Sequence, residues 1–478
     1  MIDEFDFADL SYGDRIGGFT TQSNVHVNFS YEEATNVFTI TDPRSIPATR
    51  IILSKEQDSP YILKGKTFSK RSIFLYLNGD NNIEPAFGYL PISAPFAIGT
   101  QTPGNYHSGI NKQDMQGATF DAISFVGGNL ELLIPERGYK REESHGTYEV
   151  NPIVEPYSIP PMVIDVEDRD IARFEIFRRT SARYTGETIA IFRLVFNQRQ
   201  SISRAFEYIG HMARLVAFLS MSQTVSFLKI ETELDIPNQL FGNLRDRLVV
   251  TNVINEFTRN SIPNQRNYRF KTHVLDIRNI GDKIWNIFKN ARNNDLGGCG
   301  TNMSVLPQDW AQEYIIHNTQ IKNICTALEH EHQKLGLNTP KMEALADLRN
   351  ALHAFTKQYL RESPQESLTD QDRSRVFSSI DHIDVSAHTQ YQQLIDRHES
   401  AIGPAIDNLL RYRLDVTERP DMKALVKHRN DITHNAYLSI DEKVYVSALK
   451  ARLTVYACVL ERCGLNEAER EEAFRMWF

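Results

Sequence analysis

Two periodicities divide the chain. Up to about residue 230, apolar and polar residues alternate with the period of two that marks a strand with one buried face. Thr21–Phe29, Asn36–Thr41 and Ala118–Phe125 show this pattern, and Arg71–Leu77 is dense in β-forming side chains. Leu130–Ile134 predicts a further strand, paired with 118–125 across Gly127-Gly128 as a hairpin. Five prolines between Pro135 and Pro161 read residues 135–168 as loop or linker. Strand character returns over Arg173–Phe177, Thr188–Phe196 and Val225–Ile230. Between the last two, Ile202, Phe206, Ile209, Ala213, Val216 and Leu219 fall at helical spacing on one face, predicting a helix over 201–219. Many short strands with frequent turn residues predict a β-sandwich or distorted barrel with one packed helix.

Beyond Asn293-Asn294-Asp295-Leu296-Gly297-Gly298-Cys299-Gly300 the pattern changes to helix formers. Helices are predicted over 308–335, 341–361, 388–412, 420–433 and 441–462, with a short one closing the chain. Gly336 suits the end of the first and Pro340 the first turn of the second. Residues 363–385, rich in Ser, Asp and Gln, read as a long loop. The fold class expected is therefore α+β multidomain. A β-rich domain, residues 1–290, is followed by a linker, 291–307, and an all-α bundle, 308–478.

Composition removes several classes. A 478-residue chain with 41% hydrophobic and 24% charged residues is ordinary globular protein. It contains no uninterrupted apolar run near the length of a spanning helix. The first residues, Met1-Ile2-Asp3-Glu4-Phe5-Asp6, are acidic where a secretory leader is basic and then apolar. Cys299, Cys325, Cys458 and Cys463 form no CxxC pair and read as reduced, idle thiols. A cytoplasmic location with no membrane partner is expected. The net charge of −8 conceals a gradient. Formal charge is −11 over residues 1–170, +8 over 171–300 and −5 over 301–478, so a polyanion-binding face, if present, belongs to the middle.

Several motifs fail on physical grounds. Gly65-Lys66-Thr67 resembles the end of a phosphate-binding loop, but that loop needs a glycine where Pro60 stands. Glu329-His330-Glu331-His332 has histidines two apart, whereas two-histidine helical metal sites need a spacing of four, so it reads as a solvated helix face. Arg349 and His353, four apart on one helix face, read as a minor candidate whose simpler account is a salt-bridge face. No GxSxG, GxGxxG or DxDxDG pattern occurs. Neither a metal nor a cofactor is expected.

One motif carries chemistry. In Lys427-His428-Arg429-Asn430-Asp431-Ile432-Thr433-His434 an arginine and a histidine frame four residues. A guanidinium holds phosphate oxygens through paired hydrogen bonds and stabilises charge building on phosphorus. A histidine near neutral pKa moves protons. Together they can direct an RNA 2′-hydroxyl onto the adjacent phosphate without metal, leaving a 2′,3′-cyclic phosphate and a 5′-hydroxyl. Similar spacings occur at Arg204–His211, Arg266–His273 and Arg375–His382, but Arg429 alone is followed by Asn430, an apolar Ile432 and a further helix.

Arg429-Asn430-Asp431-Ile432-Thr433-His434 resembles the RN-x-hydrophobic-x-H signature of HEPN domains, helical bundles that are often metal-independent ribonucleases. The whole chain resembles the ApeA-type bacterial antiphage proteins, in which a β-rich N-terminal domain precedes such a bundle. The resemblance implies Arg429 as the phosphate-stabilising residue, His434 as the proton-transfer residue and Asn430 as their polar partner. Glu329, on the first bundle helix, is a supporting candidate that could pair with Arg429, and Asp431 is a second. Ala436 stands where some HEPN toxins carry a tyrosine, so no tyrosine receives a role. The resemblance also implies a homodimer or higher homo-oligomer formed through the bundle, an RNA substrate (tRNA or mRNA) and a phage-derived trigger.

In the basic middle, arginines alternate with aromatic residues. Arg178, Arg179 and Arg183, with Arg266, Arg269 and Lys271, are candidate RNA contacts. The competing account places the aromatics in a core and the arginines on a solvated face. Two other readings of the whole stand beside the nuclease: a non-catalytic HEPN-like module that binds RNA or protein, and a β-sandwich ligand sensor with a helical dimerisation tail.

Overall fold

A computed structural model of the chain describes residues 15–20, 26–32, 37–40, 61–68, 72–77, 90–93, 96–99, 119–134, 139–144, 147–152, 161–180, 188–227, 229–238, 242–251, 275, 277–298, 305–307, 315–337, 343–362, 369–381, 386–414, 416–434 and 438–474. The chain divides into two compact units. The first comprises residues 1–220 and 224–277, the second 221–223 and 278–478.

The first unit is β-rich. In chain order its strands are β1 (Ile16–Thr20), β2 (His26–Glu32), β3 (Val37–Ile40), β4 (Tyr61–Thr67), β5 (Ser72–Leu77), β6 (Leu90–Ser93), β7 (Phe96–Gly99), β8 (Thr119–Val126), β9 (Tyr139–Ser144), β10 (Thr147–Pro152), β11 (Met162–Asp165), β12 (Ile171–Thr180), β13 (Thr188–Ser201), β14 (Lys229–Asn238) and β15 (Gly242–Thr251). Thirteen of them form one antiparallel sheet, in the order β11-β12-β13-β8-β14-β15-β7-β5-β4-β1-β2-β3-β6. A twisted sheet of that length curls. The sequence left open a sandwich or a barrel; among the described residues these thirteen strands hydrogen-bond as one sheet, and β9 and β10 form a separate two-stranded one.

The alternation read from the sequence is the alternation that buries. Val27 and Phe29 are inside while His26 and Asn28 are exposed, and Phe19, Phe29, Phe38 and Phe96 interlock, with ring centroids 4.4–5.8 Å apart. Gly65 lies in β4 opposite β1, and a Cβ there would strike the Gly18 carbonyl. The glycine of the rejected phosphate-loop motif thus serves close strand packing. Helix α1 (Ile202–Ser220) buries Ile209, Met212, Val216 and Leu219. It packs on β8 and β13, where Tyr208 meets Phe196 edge-on at 4.9 Å.

Two local expectations are corrected. Leu130–Leu133 forms a helical turn, not the second strand of a hairpin. Gly127 and Gly128 both take left-handed backbone (φ 64° and 67°), and Asn129 then accepts hydrogen bonds from the Ser226 backbone N–H and hydroxyl, both at 2.9 Å. The proline-rich segment 135–168 is not all loop, since β9 and β10 pair as a hairpin and β11 joins the main sheet. Its prolines fall at strand ends or outside the described residues.

The second unit is helical: α2 (Ile284–Arg292), α3 (Asn318–Lys334), α4 (Glu343–Glu362), α5 (Asp370–Asp381), α6 (Ala387–Leu409, continued by a π-helical turn to Leu414), α7 (Met422–His434), α8 (Glu442–Arg462) and α9 (Glu467–Phe474). Helix α8 is the centre, with nearly every residue from Val444 to Leu460 buried. A helix apolar all round needs neighbours on every side, and α3, α6, α7 and α9 supply them. Gly336 has φ 64°, and its N–H reaches the Gln333 carbonyl, so it ends α3 as its position implied. The segment 363–385, expected as loop, contains α5, which packs chiefly against α4.

The domain boundary lies earlier than the composition change suggested. Helix α2 belongs to the helical unit, with Ile284, Trp285, Ile287 and Phe288 buried. The expected linker 291–307 is packed over much of what is described, although Asn293 and Asn294 are exposed. Leu296, Val305 and Leu306 are fully buried, and Asp295 is ion-paired with Arg462 and Lys334. Gly297 is a steric device: it has φ 60°, and a Cβ there would come within 2.8 Å of Val455.

Candidate functional site

Helix α7 begins after Pro420, with Asp421 Oδ1 accepting the Lys423 N–H at 2.8 Å. Met422, Leu425, His428 and Ile432 form its buried face. His428 Nε2 lies 2.9 Å from Asn318 Oδ1 at the start of α3. Asn318 Nδ2 also donates to the Leu438 carbonyl at 3.0 Å, so the first residue of α3 holds the chain on both sides of the end of α7.

Arg429 follows directly on that buried face and is two-thirds buried (33% side-chain exposure). Its Nη2 donates to Glu329 Oε1 of α3 at 3.1 Å, and its Nη1 to the neighbouring Asn430 Oδ1 at 3.3 Å. Glu329 and Arg429, raised as partners by the sequence, are thus an ion pair. A third helix joins them: the Tyr391 hydroxyl of α6 donates to the same Glu329 Oε1 at 2.9 Å and lies 3.3 Å from the Cys325 carbonyl. Burial, with the Glu329 carboxylate beside it, pushes the Tyr391 hydroxyl far above its ordinary range, so it remains protonated and donating. Burial likewise pushes the Cys325 thiol up to about 12. Cys325, Cys458 and Cys463 are free and buried; Cys299 lies outside the described residues.

Asn430 and Asp431 are exposed on α7. His434 is its last residue, about 7.5 Å along the axis from Arg429 at 1.5 Å per residue; its side chain lies outside the described residues. The site therefore presents a guanidinium pinned on one side, with its remaining N–H groups available to an anion.

The other candidates are dispersed. Arg178 does not present its charge to a ligand. It is buried and bonded to Glu131, the Ile134 carbonyl, and both the hydroxyl and carbonyl of Thr188. Arg179 is half-buried on the same strand; Arg183, Arg266, Arg269 and Lys271 lie outside the described residues. Arg193 is not on a solvated face either. It bridges Glu175 of β12 and Glu233 of β14 at 2.9 and 2.7 Å, and these carboxylates hold its pKa above the ordinary value against the effect of burial. In Glu329-His330-Glu331-His332 only His330 is exposed. Glu331 is fully buried against Arg462, and His332 is buried against Gln393, because consecutive helical positions point to different sides. No group of three or more His, Cys, Asp or Glu positioned to hold a metal occurs among the described residues. No described helix is long and apolar enough to cross a membrane. His353 stacks on Phe377 at 5.6 Å, placing it between α4 and α5.

Sequence reasoning missed Tyr391. It opens the apolar face Tyr391, Leu394, Ile395, His398 of α6, and nothing in that spacing distinguishes a tyrosine that fills a core from one whose hydroxyl reaches a carboxylate. No family model, no curated protein and no solved structure matches this chain.

Proposed function

We propose that the chain is a metal-independent endoribonuclease of the HEPN type, of the kind that acts in antiphage defence by abortive infection. Its helical unit cuts RNA, tRNA or mRNA, with Arg429 stabilising charge on the phosphate and His434 transferring a proton. The observation that carries the reading is the setting of Arg429. A partly exposed guanidinium is held from one side by Glu329, on a helix that ends at His434, with Asn430 beside it. A guanidinium preorganised by a carboxylate can meet developing negative charge without reorganising. The reading includes a homodimer formed through the bundle, a phage-derived trigger, and a β-rich unit that restrains or triggers cutting.

The test is cleavage of end-labelled total tRNA and a structured messenger fragment, in EDTA, by the full chain and by Arg429→Ala and His434→Ala. Discrete cuts ending in cyclic phosphate are expected from wild type, with a loss of at least about a hundredfold in each variant. Activity retained by both folded variants would sink the assignment. The same ion pair favours a second reading, a non-catalytic HEPN-like module in which Arg429 bridges two helices. RNA binding without cutting, abolished by neither substitution, would favour it.

A further inference from the structure

Glu329 Oε1 receives two hydrogen bonds from two different helices, Tyr391 of α6 at 2.9 Å and Arg429 of α7 at 3.1 Å. We propose that Tyr391 is a positioning residue, whose hydroxyl fixes the Glu329 carboxylate and through it the orientation of the Arg429 guanidinium. The inference rests on the ribonuclease reading above and adds to it the residue on which the Arg429 geometry depends.

Glu329 and Arg429 are both long and part-exposed, at 28% and 33% of the side chain. Alone, such a pair is loosely held and screened by water. Tyr391 differs because its ring is fully buried and cannot follow a moving partner. Its single proton has two acceptors in range, the Cys325 carbonyl at 3.3 Å and the carboxylate at 2.9 Å. The nearer, charged acceptor wins, since charge-assisted bonds are the stronger ones. That bond fixes the oxygen to which Arg429 is tied. Asn430, at 3.3 Å, is a weaker second tether. A rigid side chain supporting a reactive group through one intermediate is how a site keeps its geometry within tolerance.

Because the Tyr391 hydroxyl is a fixed donor and exchanges no proton, its removal should change the rate without changing the pH profile. The test is cleavage by the full chain in wild type, Tyr391→Phe, Glu329→Gln, the double variant, Arg429→Ala, and Arg429→Ala with Tyr391→Phe. Tyr391→Phe is expected to lower kcat about tenfold, to move KM less than about twofold, and to leave both limbs of the pH profile in place. The double variant should be no slower than Glu329→Gln alone, and Tyr391→Phe should add nothing in the Arg429→Ala background, since groups acting in series are not additive. If Tyr391→Phe lowers the melting temperature by more than a few degrees, Glu329→Gln tests the same link from a part-exposed position. A wild-type rate in Tyr391→Phe, losses that multiply in the double variant, or a vanished pH limb would each overturn the inference. Wild type that cuts no RNA, either purified or in phage-infected cells, overturns the ribonuclease reading and this with it; wild type that cuts, with Tyr391→Phe unaffected, overturns this alone.

Discussion

His398 is fully buried in α6, with neither ring nitrogen hydrogen-bonded among the described residues. Its Nε2 lies 3.4 Å from Glu461 Oε2 without the alignment of a hydrogen bond, and Arg397, Arg470 and Glu467 are the other charges near it. Burial, joined by Arg470 and Arg397 and opposed by Glu461 and Glu467, pushes the ring from 6.5 down to about 4. Between those values the unfolded chain binds a proton that the folded chain refuses, so stability rises with pH across that window. Unfolding free energy measured by urea titration should fall between pH 6.5 and pH 4, by on the order of 3 kcal/mol from this group. Glu461, whose carboxyl is held below its ordinary range by the Arg397 hydrogen bond, acts in the same direction at lower pH. His398→Phe should flatten the upper part of the curve, and an unchanged slope would show that the ring is not the group responsible. At the residue scale the sequence made Arg429 and Glu329 visible as charged groups of defined chemistry. His398 and Tyr391 were hidden, because their effect comes from what surrounds them.

Helices α4 and α5 pack chiefly on each other, with no fully buried side chain described in either, and Leu348, Phe355, Tyr359 and Val376 are exposed. The core helices they interrupt meet without them. His332, near the end of α3, touches Gln393, and Glu329 touches Tyr391 near the start of α6. Antiparallel neighbours of this kind are joined by 2–8 residues in other bundles. Replacing residues 339–385 by about six Gly/Ser residues should therefore leave the melting temperature of the helical unit within about 5 °C of wild type. Loss of cooperative melting would show that the pair supports the core. Elements were the most legible level of the sequence. The helical spacing over 201–219 matches α1, and the spacing over 441–462 matches α8 within a residue. What failed was chemistry that composition does not weigh. Two consecutive left-handed glycines turned Leu130–Leu133 away from the sheet, and Asp295, within a stretch that read as linker, is ion-paired to Arg462 and Lys334.

Arg193 of the basic middle turns inward to carboxylates of its own sheet, and Arg178 to Glu131 of the helical turn Leu130–Leu133. The positive balance of residues 171–300 is thus spent partly inside the first unit. The same segment crosses the boundary at Ile277, so Arg278, Lys283, Lys289 and Arg292 belong to the helical unit with Arg429. A charge excess counted by sequence segment therefore does not map onto one unit. Each unit has its own buried core, aromatic in the sheet and centred on α8 in the bundle, which is the condition for folding alone. Residues 278–478 should then give a helical circular-dichroism spectrum and a single cooperative melt. The loss of Met221–Gln223 removes two bonds of Gln223 to the 305–307 segment, at 3.0 and 2.8 Å, and should cost a few degrees at most. If the β-rich unit restrains or triggers the bundle, the fragment's toxicity on expression will differ from that of the full chain, and Arg429→Ala in the fragment will remove any toxicity it has. Equal toxicity of fragment and full chain would end the regulatory reading while leaving the nuclease reading intact. Toxicity indifferent to Arg429→Ala would do the reverse.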